Sequence, residues 1–480
     1  MKKVYIISLW KLWRLDSVEI DYKKDVNSLN IKIDDLTKEN QELRKENHLL
    51  LDDNARLKSI INNDSSNTSL PPSTDQKGGK PANTYNGRKK TERKKGGQKG
   101  HKGTTLTKAE IEGKIKSGKC RHEIRTIGDC SSGNYITKYV LDLSIASLIT
   151  EIHIYADKKG KFHIPKEYRC DVTYGSNIKA LAVSLYSEGV MSNDRIAAFL
   201  NAASRDELAL SDGSVYAFCK KFNEIAKPSI QQLENELLNQ SVVATDATTI
   251  TVNGKQNYIR NFSIDKTVIY HAMKNKTIAA LEKIGFLKKY TGILVHDYET
   301  ALYHFGTDHA ECNIHLLRYL RKSTEDAGNK WSDKMITLLC EMNKTRKKLI
   351  SQEVSAFSKD IIADYEKKYQ VFIAAGRKEN KKTAHKYEKG EELTLLNRME
   401  KYMHNHLLFL HNFQVIFDDN ISERDLRKAK NRQKMAGGFR KDSGHVMYCS
   451  ILTIIETLKR RKMGIIKNIA KLFMGTPAIF

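Results

Sequence analysis

Residues 241–255, SVVATDATTITVNGK, place an aspartate inside what the pattern otherwise predicts to be a β-strand. Asp246 has valine, alanine and threonine around it, and the following Asn253-Gly254 pair is a strong signal for a two-residue hairpin turn. Aspartate is a poor strand residue and is rarely buried. Its position therefore indicates a carboxylate with a functional role.

The residues after this hairpin predict three more strands and one helix. KQNYIRNFSI and TVIYHAM are predicted strands, KTIAALEKIGFLKKYTG is a predicted amphipathic helix ending at Gly292, and ILVHDY is a strand with Asp297 near its end. A crossover helix returns the chain to a parallel strand, so Asp246 and Asp297 are expected on neighbouring strands. Two adjacent carboxylates repel each other unless a cation lies between them, and hard oxygen ligands favour Mg²⁺ or Mn²⁺.

A third carboxylate is needed to hold two ions, and the stretch NISERDLRKAKNRQKMAGGFRK offers two. Glu423 begins a basic helix, but its distance from Asn420 also fits a helix-capping glutamate, and Asp425 is a rival ligand. Arg424 and Arg427 of the same helix are candidate phosphate contacts.

The N-terminal region predicts a parallel two-stranded coiled coil. Leucine recurs every seven residues at one seam position, and asparagine occupies three of the alternating positions, which costs stability but fixes register. The predicted dimer seam comprises Leu29, Leu36, Asn40, Leu43, Asn47, Leu50, Asn54 and Leu57. The alternative is an amphipathic helix packed on the chain's own body.

The zipper is followed by a segment rich in Ser, Gly, Pro and Lys that predicts a disordered linker. Between residues 77 and 103 there are ten Lys or Arg residues and one acid, so this basic leash suits DNA phosphates. The candidate DNA-binding residues are Arg88, Lys89, Lys90, Arg93, Lys94, Lys95, Lys99 and Lys102. The alternative is a solvated linker without a DNA contact.

The middle of the chain predicts a small β region followed by helices. Alternating runs such as YITKYVLDL and SLITEIHIYA predict strands, and Cys120, His122, Cys130 and Cys170 lie around them. No C-x-x-C pair is present, so zinc is only weakly supported. Residues 176–236 turn helical, and two short helices joined by a turn suit a helix-turn-helix, or equally an ordinary helical subdomain.

Composition limits the class of protein. The 480-residue chain has a net charge of +25, which favours a polyanionic partner, either nucleic acid or an anionic membrane surface. Seven scattered cysteines indicate a reducing cytoplasm without a disulfide framework. No run of about 18 apolar residues predicts a membrane span, and no signal peptide is recognised at the start.

Several motifs together resemble the DDE transposases of the insertion sequence 66 family. They are KKGGQKGHKG, TYGSNIKALAVSLYSEG, VVATDATTITVNGKQNYI, ILVHDYETAL with HAECNIHLLRYLRK, and the block around Glu423. The resemblance covers nearly the whole chain and implies Asp246, Asp297 and Glu423 as the catalytic, metal-binding triad of an RNase H-like core. It departs at Ala247, where relatives often have Glu, and in the missing paired cysteines.

The resemblance implies a DNA transposase that binds double-stranded element ends and target DNA as a homodimer. Two Mg²⁺ or Mn²⁺ ions, accessory proteins of the same element and a bacterial, nucleoid-associated cytoplasmic location are implied with it. Cys312 and His315 form a C-x-x-H pair found in several DDE groups. Two ligands do not complete a zinc site, so core packing with a hydrogen bond is the preferred interpretation. His404, His406 and His411 are expected to be surface or packing residues.

The predicted fold class is multidomain α+β, with an N-terminal coiled coil, a basic linker, a small DNA-binding region and an α/β core. The predicted segments are an N-terminal segment 1–20, a zipper 21–62, a linker 63–108, a degenerate zinc-finger-like β region 109–175, a helix-turn-helix-like region 176–238, a first core segment 239–323, a helical insertion 324–412, and a second core segment with C-terminal helices 413–480.

Three other functions fit some of these observations. A dimeric DNA-binding regulator without catalysis would use the zipper, the basic segment and the helical region. An inactive transposase copy would bind element ends without cutting them. An RNase H-like nuclease of another substrate class would share the core but would not explain the zipper.

Overall fold

The computed structural model describes residues 2–62, 106–118, 120–126, 136–141, 145–188, 191–383 and 386–480. Cys130 and the eight candidate DNA-binding residues of the leash lie outside these residues. The chain forms two compact units: unit 1 comprises Met1–Thr84, Pro228–Lys462 and Phe480, and unit 2 comprises Tyr85–Lys227 and Met463–Ile479. No helix among the described residues is both long enough and apolar enough to cross a membrane.

Helix α1 runs continuously from Lys2 to Asn62, so the predicted N-terminal segment and zipper form one helix. Its seam leucines are exposed, with Leu43 and Leu57 each 51% accessible and Leu50 59% accessible. The helix also contacts the protein's own body, because the carboxylate of Asp52 accepts a hydrogen bond from the Lys386 backbone. The contact with Lys386 is not made by a seam residue.

The region predicted to be a small β domain has little regular structure where it is described. Helix α2 (Lys108–Lys116) begins with a capping box between Thr107 and Glu110. Among the described residues of 136–175, the predicted strands do not form, and only an isolated bridge joins Ala156 and Phe162. The alternating runs there have mostly exposed apolar side chains, so no second layer buries them as a stable strand requires.

Unit 2 contains the helices that the sequence predicts for residues 176–225. They are α3 (Ser176–Glu188), α4 (Asn193–Ala203) and α5 (Asp212–Ile225). The Ser211 side chain caps α5 by accepting the Ser214 backbone N–H. A later helix, Ile465–Phe473, packs against α3 and α5 in this unit, with Phe222 and Phe473 in ring contact. The predicted core segment 413–480 therefore contributes its last helix to unit 2.

The sheet of unit 1 has five strands in the order β3-β2-β1-β4-β5. They are β1 (Val242–Val252), β2 (Lys255–Ser263), β3 (Val268–Met273), β4 (Ile293–His296) and β5 (Asp308–Glu311). The first three are antiparallel, while β4 is parallel to β1 and β5 is parallel to β4. The Asn253-Gly254 turn has positive φ at both residues, as the sequence predicts for this hairpin. Helix α6 (Lys227–Leu238) packs Leu233 and Leu237 against one face of this sheet.

The predicted long helix between β3 and β4 is wrong. Only α7 (Ile278–Leu281) and one 3₁₀ turn (Leu287–Lys289) form there. In a continuous helix of 3.6 residues per turn, the apolar side chains of this segment would be spread over most of its circumference. Such a helix could not bury them all against one surface. The broken path buries all five in the core below the sheet: Leu281, Ile284, Phe286, Leu287 and Tyr290.

Five helices follow β5, and four of them lie in the predicted helical insertion. They are α8 (Asn313–Ala327), α9 (Lys330–Ser351), α10 (Lys359–Lys382), α11 (Lys386–Lys401) and α12 (Met403–His411). Their core is built around the fully buried Trp331 and Tyr369 and continues to Val295 of β4 and Ala310 of β5. The insertion therefore packs against the half of the sheet that carries Asp297.

Two helices complete unit 1: α13 (Asn420–Ala436) and α14 (Asp442–Arg460), which precede α15 (Ile465–Phe473) of unit 2. The link between α13 and α14 is fastened to β1, because Phe439 donates its N–H to Thr251 and accepts that of Asn253, both at 2.8 Å. Gly438 has φ of +108°, and a Cβ there would lie 2.1 Å from the Thr251 carbonyl oxygen. Only glycine fits this approach.

Candidate active site

The parallel pairing of β1 and β4 brings Asp246 and Asp297 to the same place. Ala244 pairs with Val295, and each aspartate follows its strand's paired residue by two positions. Residues two apart on a strand share a face, so both carboxylates project from the same side of the sheet. Their proximity is also evident in the electrostatics, because the charge of Asp297 contributes to raising the pKa of Asp246.

Glu423 reaches the same point from the first turn of α13. The Nε2 atom of His315 lies 3.4 Å from Asp297 Oδ2 and 3.5 Å from Glu423 Oε1. Arg318, one turn further along α8, lies 3.5 Å from the same Glu423 oxygen. Asp297 and Glu423 therefore lie within 3.5 Å of one buried imidazole, and the charge of Asp246 also acts on the pKa of that ring.

The contacts of Glu423 and Asp425 bear on the alternative roles that the sequence leaves open for them. The first turn of α13 has no side-chain cap, because its N-cap residue is Asp419 and the Glu423 side chain faces His315 and Arg318. Asp425 instead accepts a hydrogen bond from Ser263 at 2.6 Å and pairs with Arg460. The contacts of Asp425 thus hold α13 against the sheet and against α14.

Cys312 and His315 have different surroundings, although both lie at the start of α8. Cys312 is the buried N-cap residue, and its sulfur accepts the backbone N–H of Asp419 at 3.2 Å. Burial raises the pKa of the Cys312 thiol far above its ordinary value, which does not suit a metal-bound thiolate. The predicted packing role with a hydrogen bond fits Cys312, while His315 lies among the carboxylates.

A fourth carboxylate, Asp419, lies beside the predicted three. It is 2% exposed, its Oδ1 atom has no hydrogen-bond partner, and burial raises its pKa well above the ordinary value, with a further contribution from Asp246. Burial also raises the pKa of Asp246 and of Asp297, and it lowers that of His315 to about 4. The His315 ring is therefore neutral near pH 7 and does not neutralise the acids.

The donor set fits a divalent cation better than a softer metal. Closely placed, partly buried carboxylates are the environment that a hard oxygen-ligated ion stabilises. Among the described residues, however, no three His, Cys, Asp or Glu side chains are arranged as a completed metal cluster. The carboxylates would have to close further around an ion. Cys120 and Cys170 are exposed free thiols.

The other predicted residues are distributed as follows. Arg424 and Arg427 are exposed on α13, on the helix that carries Glu423. His406 is fully buried against Glu311, while His404 pairs with Asp308 and His411 with Glu366, so none of the three reaches the candidate site. Their predicted packing and surface positions are confirmed.

Sequence reasoning missed Asn261, Asp419 and Arg398. Asn261 of β2 is paired with Asp246 in the sheet and contacts its backbone. Burial raises the pKa of Asp297, and Arg398 of α11 is the positive charge that lowers it most. Asn261 could have been found by counting outward from the hairpin turn, but nothing in the sequence indicates the contact between Arg398 and the end of β4.

Comparison with known families agrees with these motifs and this geometry. Residues 23–107 match a family of unknown function, and no curated protein matches the chain at a significant level. Residues 172–447, which include Asp246, Asp297 and Glu423, match the family described as Transposase IS66 family. This match covers more than half of the chain, which therefore belongs to the IS66 family of transposases.

Proposed function

We propose that this transposase cuts the ends of its insertion sequence and joins them to target DNA in a reaction that depends on Mg²⁺ or Mn²⁺. The observation that carries the proposal is the approach of Asp246, Asp297 and Glu423 to one another around His315. Three acids from β1, from the turn after β4 and from α13 have no common structural reason to meet there. Binding of cations is the chemistry that justifies such repulsion.

Each carboxylate has a proposed role. Asp246 would help to hold both ions, while Asp297 and Glu423 would each hold one. The bound ions would supply activation of the attacking oxygen and stabilisation of the leaving oxygen in phosphoryl transfer. No side chain need form a covalent bond to DNA, so the protein contributes positioning and charge.

The sheet order supports an RNase H-like core. The sheet has three antiparallel strands followed by two parallel ones. The first acid lies on the central strand β1, and the second lies beyond the end of its neighbour β4. This is the arrangement that the resemblance implies. We assign the helices α9 to α12 to the insertion between the second and third acids. We assign α4 and α5 to a helix-turn-helix-like reader of the element ends.

DNA contacts are proposed for exposed cations near the acids and for the basic leash. Arg424 and Arg427 extend from the solvent side of α13, one turn apart, where they can hold phosphates next to Glu423. The leash between residues 77 and 103 would add counterion-releasing contacts that are independent of sequence.

Dimerisation is proposed through the zipper of α1. A row of leucines that are each more than half exposed is an unfavourable surface in water, and a second copy of the same helix would bury it. A homodimer with two-fold symmetry would bring two element ends together. Accessory proteins of the same element are proposed as further partners.

A second candidate is a copy that binds element ends without cutting them. Ala247 favours it, since relatives often have Glu after the first aspartate. Adjacent residues on a strand point to opposite faces, so Ala247 does not remove a ligand from the Asp246 cluster. End cleavage therefore remains the first proposal.

The test is cleavage of labelled DNA that carries the element's terminal repeats, with Mg²⁺, with Mn²⁺ and with a chelator. Metal-dependent nicking at the end is expected, and Asp297→Asn should abolish it. Asp308→Asn is the matched control, because Asp308 lies on the next parallel strand and pairs with His404 outside the site. Binding without nicking, even with accessory proteins added, would support the non-cutting copy.

A further inference from the structure

We propose that Asn261 is a positioning residue that holds the first and third acids of the site in a fixed relation; this inference rests on the proposed metal-dependent function. Asn261 lies on β2 directly opposite Asp246 and is completely buried. Its Oδ1 atom accepts the Asp246 backbone N–H at 3.0 Å. Its Nδ2 atom donates to the Ser422 carbonyl at 3.1 Å, one residue before Glu423.

This clamp joins segments of the chain that are far apart in sequence. Asn261 and Ser422 are 161 residues apart in sequence, and their hydrogen bond joins β2 to α13. Asp246 and Glu423 sit on different elements, so their separation depends on how α13 docks onto the sheet. Asn261 fixes that docking at the two positions closest to the carboxylates.

Only a side-chain amide can make both contacts. The Asp246 N–H needs an acceptor and the Ser422 carbonyl needs a donor, and a carboxylate or an aliphatic side chain of similar size lacks the donor. The orientation of the amide is also fixed. Its Nδ2 lies 3.2 Å from Ser263 Oγ and 3.5 Å from the Asp425 carboxylate, so a flipped amide would point its oxygen at acceptors.

The residues behind Asn261 hold it in turn. Asp425 accepts a hydrogen bond from Ser263 at 2.6 Å and pairs with Arg460 of α14, so the amide is backed by a buried charged pair. A chain of contacts from α14 through Asp425 to Asn261 therefore ends at Asp246. This explains why Asp425, which resembles a ligand in sequence, is buried behind the site.

A residue that orients a metal ligand has a characteristic effect. Loss of such a partner typically lowers metal affinity or activity by about 10–100-fold, although the residue never touches the ion. Removal of a merely structural asparagine would lower stability and leave the affinity of the folded protein for the ion unchanged. The affinity for Mn²⁺ therefore separates the two roles.

The experiment compares full-length wild type with Asn261→Ala and Asn257→Ala. Asn257 is the matched control, because it is also a buried asparagine of β2 but donates only to the nearby Lys255 carbonyl. Calorimetric titration with Mn²⁺ is expected to show binding weakened by about 10–100-fold in Asn261→Ala. Asn257→Ala should bind Mn²⁺ as wild type does. The affinity of all three proteins for labelled element ends, measured in chelator, should be equal.

Ser263→Ala covers the case in which Asn261→Ala does not fold. It removes one hydroxyl that holds both the amide and Asp425, and a smaller weakening of Mn²⁺ binding is expected. If wild type cuts element ends and a folded Asn261→Ala binds Mn²⁺ with unchanged affinity, the positioning role is overturned. If Asn261→Ala is unfolded, unchanged Mn²⁺ affinity in Ser263→Ala overturns it instead. A wild type that neither binds Mn²⁺ nor cuts element ends would overturn the proposed function itself.

Discussion

Arg398 stacks on Tyr298, with its guanidinium carbon 3.9 Å from the centre of the tyrosine ring. Tyr298 directly follows Asp297 and has φ of +35°, a conformation that costs a tyrosine about 1–3 kcal/mol unless its surroundings hold it. Arg398 belongs to α11 and also donates to Glu311 at the end of β5, from Nε at 3.2 Å and from Nη2 at 2.7 Å. The insertion therefore braces the turn that presents Asp297.

Replacing Arg398 by lysine should reduce end cleavage at least about tenfold. Lysine keeps the charge but cannot stack as a plane on Tyr298 while two separate nitrogens donate to the same Glu311 oxygen, as Nε and Nη2 of Arg398 do. The measurement is the single-turnover rate on labelled ends, with end affinity determined separately. Arg377→Lys is the control, since Arg377 pairs with Glu400 on the exposed side of the insertion. Equal rates for both variants would show that this brace does not serve Asp297.

Acid should weaken unit 1 through Glu311, which is 1% exposed. Burial alone would raise the pKa of this carboxyl, but His406, Arg398 and Tyr303 outweigh it and bring the pKa to about 2. A folded-state pKa below the unfolded value near 4.3 gives stability that is complete above about pH 5 and is lost as pH falls towards 2. The shift corresponds to roughly 3 kcal/mol.

Glu311→Gln should therefore be less stable than wild type at pH 7 but show a flatter loss of stability between pH 5 and pH 3. Urea denaturation followed by tryptophan fluorescence measures this, because Trp331 is buried in the same core. Glu400→Gln, in an exposed pair with Arg377, should keep the wild-type pH dependence. The same steep acid loss in Glu311→Gln would assign it to other carboxyls.

Alanine at Leu43 and Leu50 together should raise the dimer dissociation constant by about 100-fold or more. Each buried Leu→Ala change costs about 2–5 kcal/mol, and about 1.4 kcal/mol corresponds to tenfold. Sedimentation equilibrium provides the measurement. Leu49→Ala is a sharp control, because Leu49 is 68% exposed and falls outside the heptad seam. An equal rise of the dimer dissociation constant in Leu49→Ala and in the double variant would argue against a seam-specific coiled coil.

Gly438→Ala should loosen the docking of α13 and abolish end cleavage. The added methyl group would collide with the Thr251 carbonyl at a positive φ, a strain of about 2 kcal/mol or more. Thermal unfolding and the cleavage rate should both fall. Gly444→Ala in α14 meets only an ordinary contact of 3.7 Å with Phe439 and should leave both values near wild type.

Short-range patterns in the sequence predict the sheet and two of its acids well. The Asn253-Gly254 turn sets the register of β1 and β2, and seven residues outward in each direction reach Asp246 and Asn261. The pairing of β1 with β4 follows from the rule for crossover connections, which does not depend on the exact structure of the connecting segment. That is why the prediction of neighbouring aspartates holds although the helix predicted between them is wrong.

Contacts that depend on tertiary packing could not be predicted in this way. Glu311 and Arg398 are 87 residues apart, and the helices between them show apolar faces but no sign of which strand they cover. Among the described residues of 136–175, the predicted strands fail for a related reason. Alternation indicates a strand only if a second layer buries one face, and the sequence gives no such partner.

The order of the elements along the chain has a consequence for the timing of activity during synthesis. Glu423, and Phe439 with its hydrogen bonds to β1, come much later in the sequence than Asp246 and Asp297. The whole insertion lies between them. A ribosome therefore releases the zipper helix, the basic leash and the first two acids long before the third acid exists. A chain interrupted in the insertion would keep the N-terminal segments proposed to bind DNA, without a complete set of carboxylates. If those segments bind element ends as proposed, such a product would compete with the finished enzyme for them.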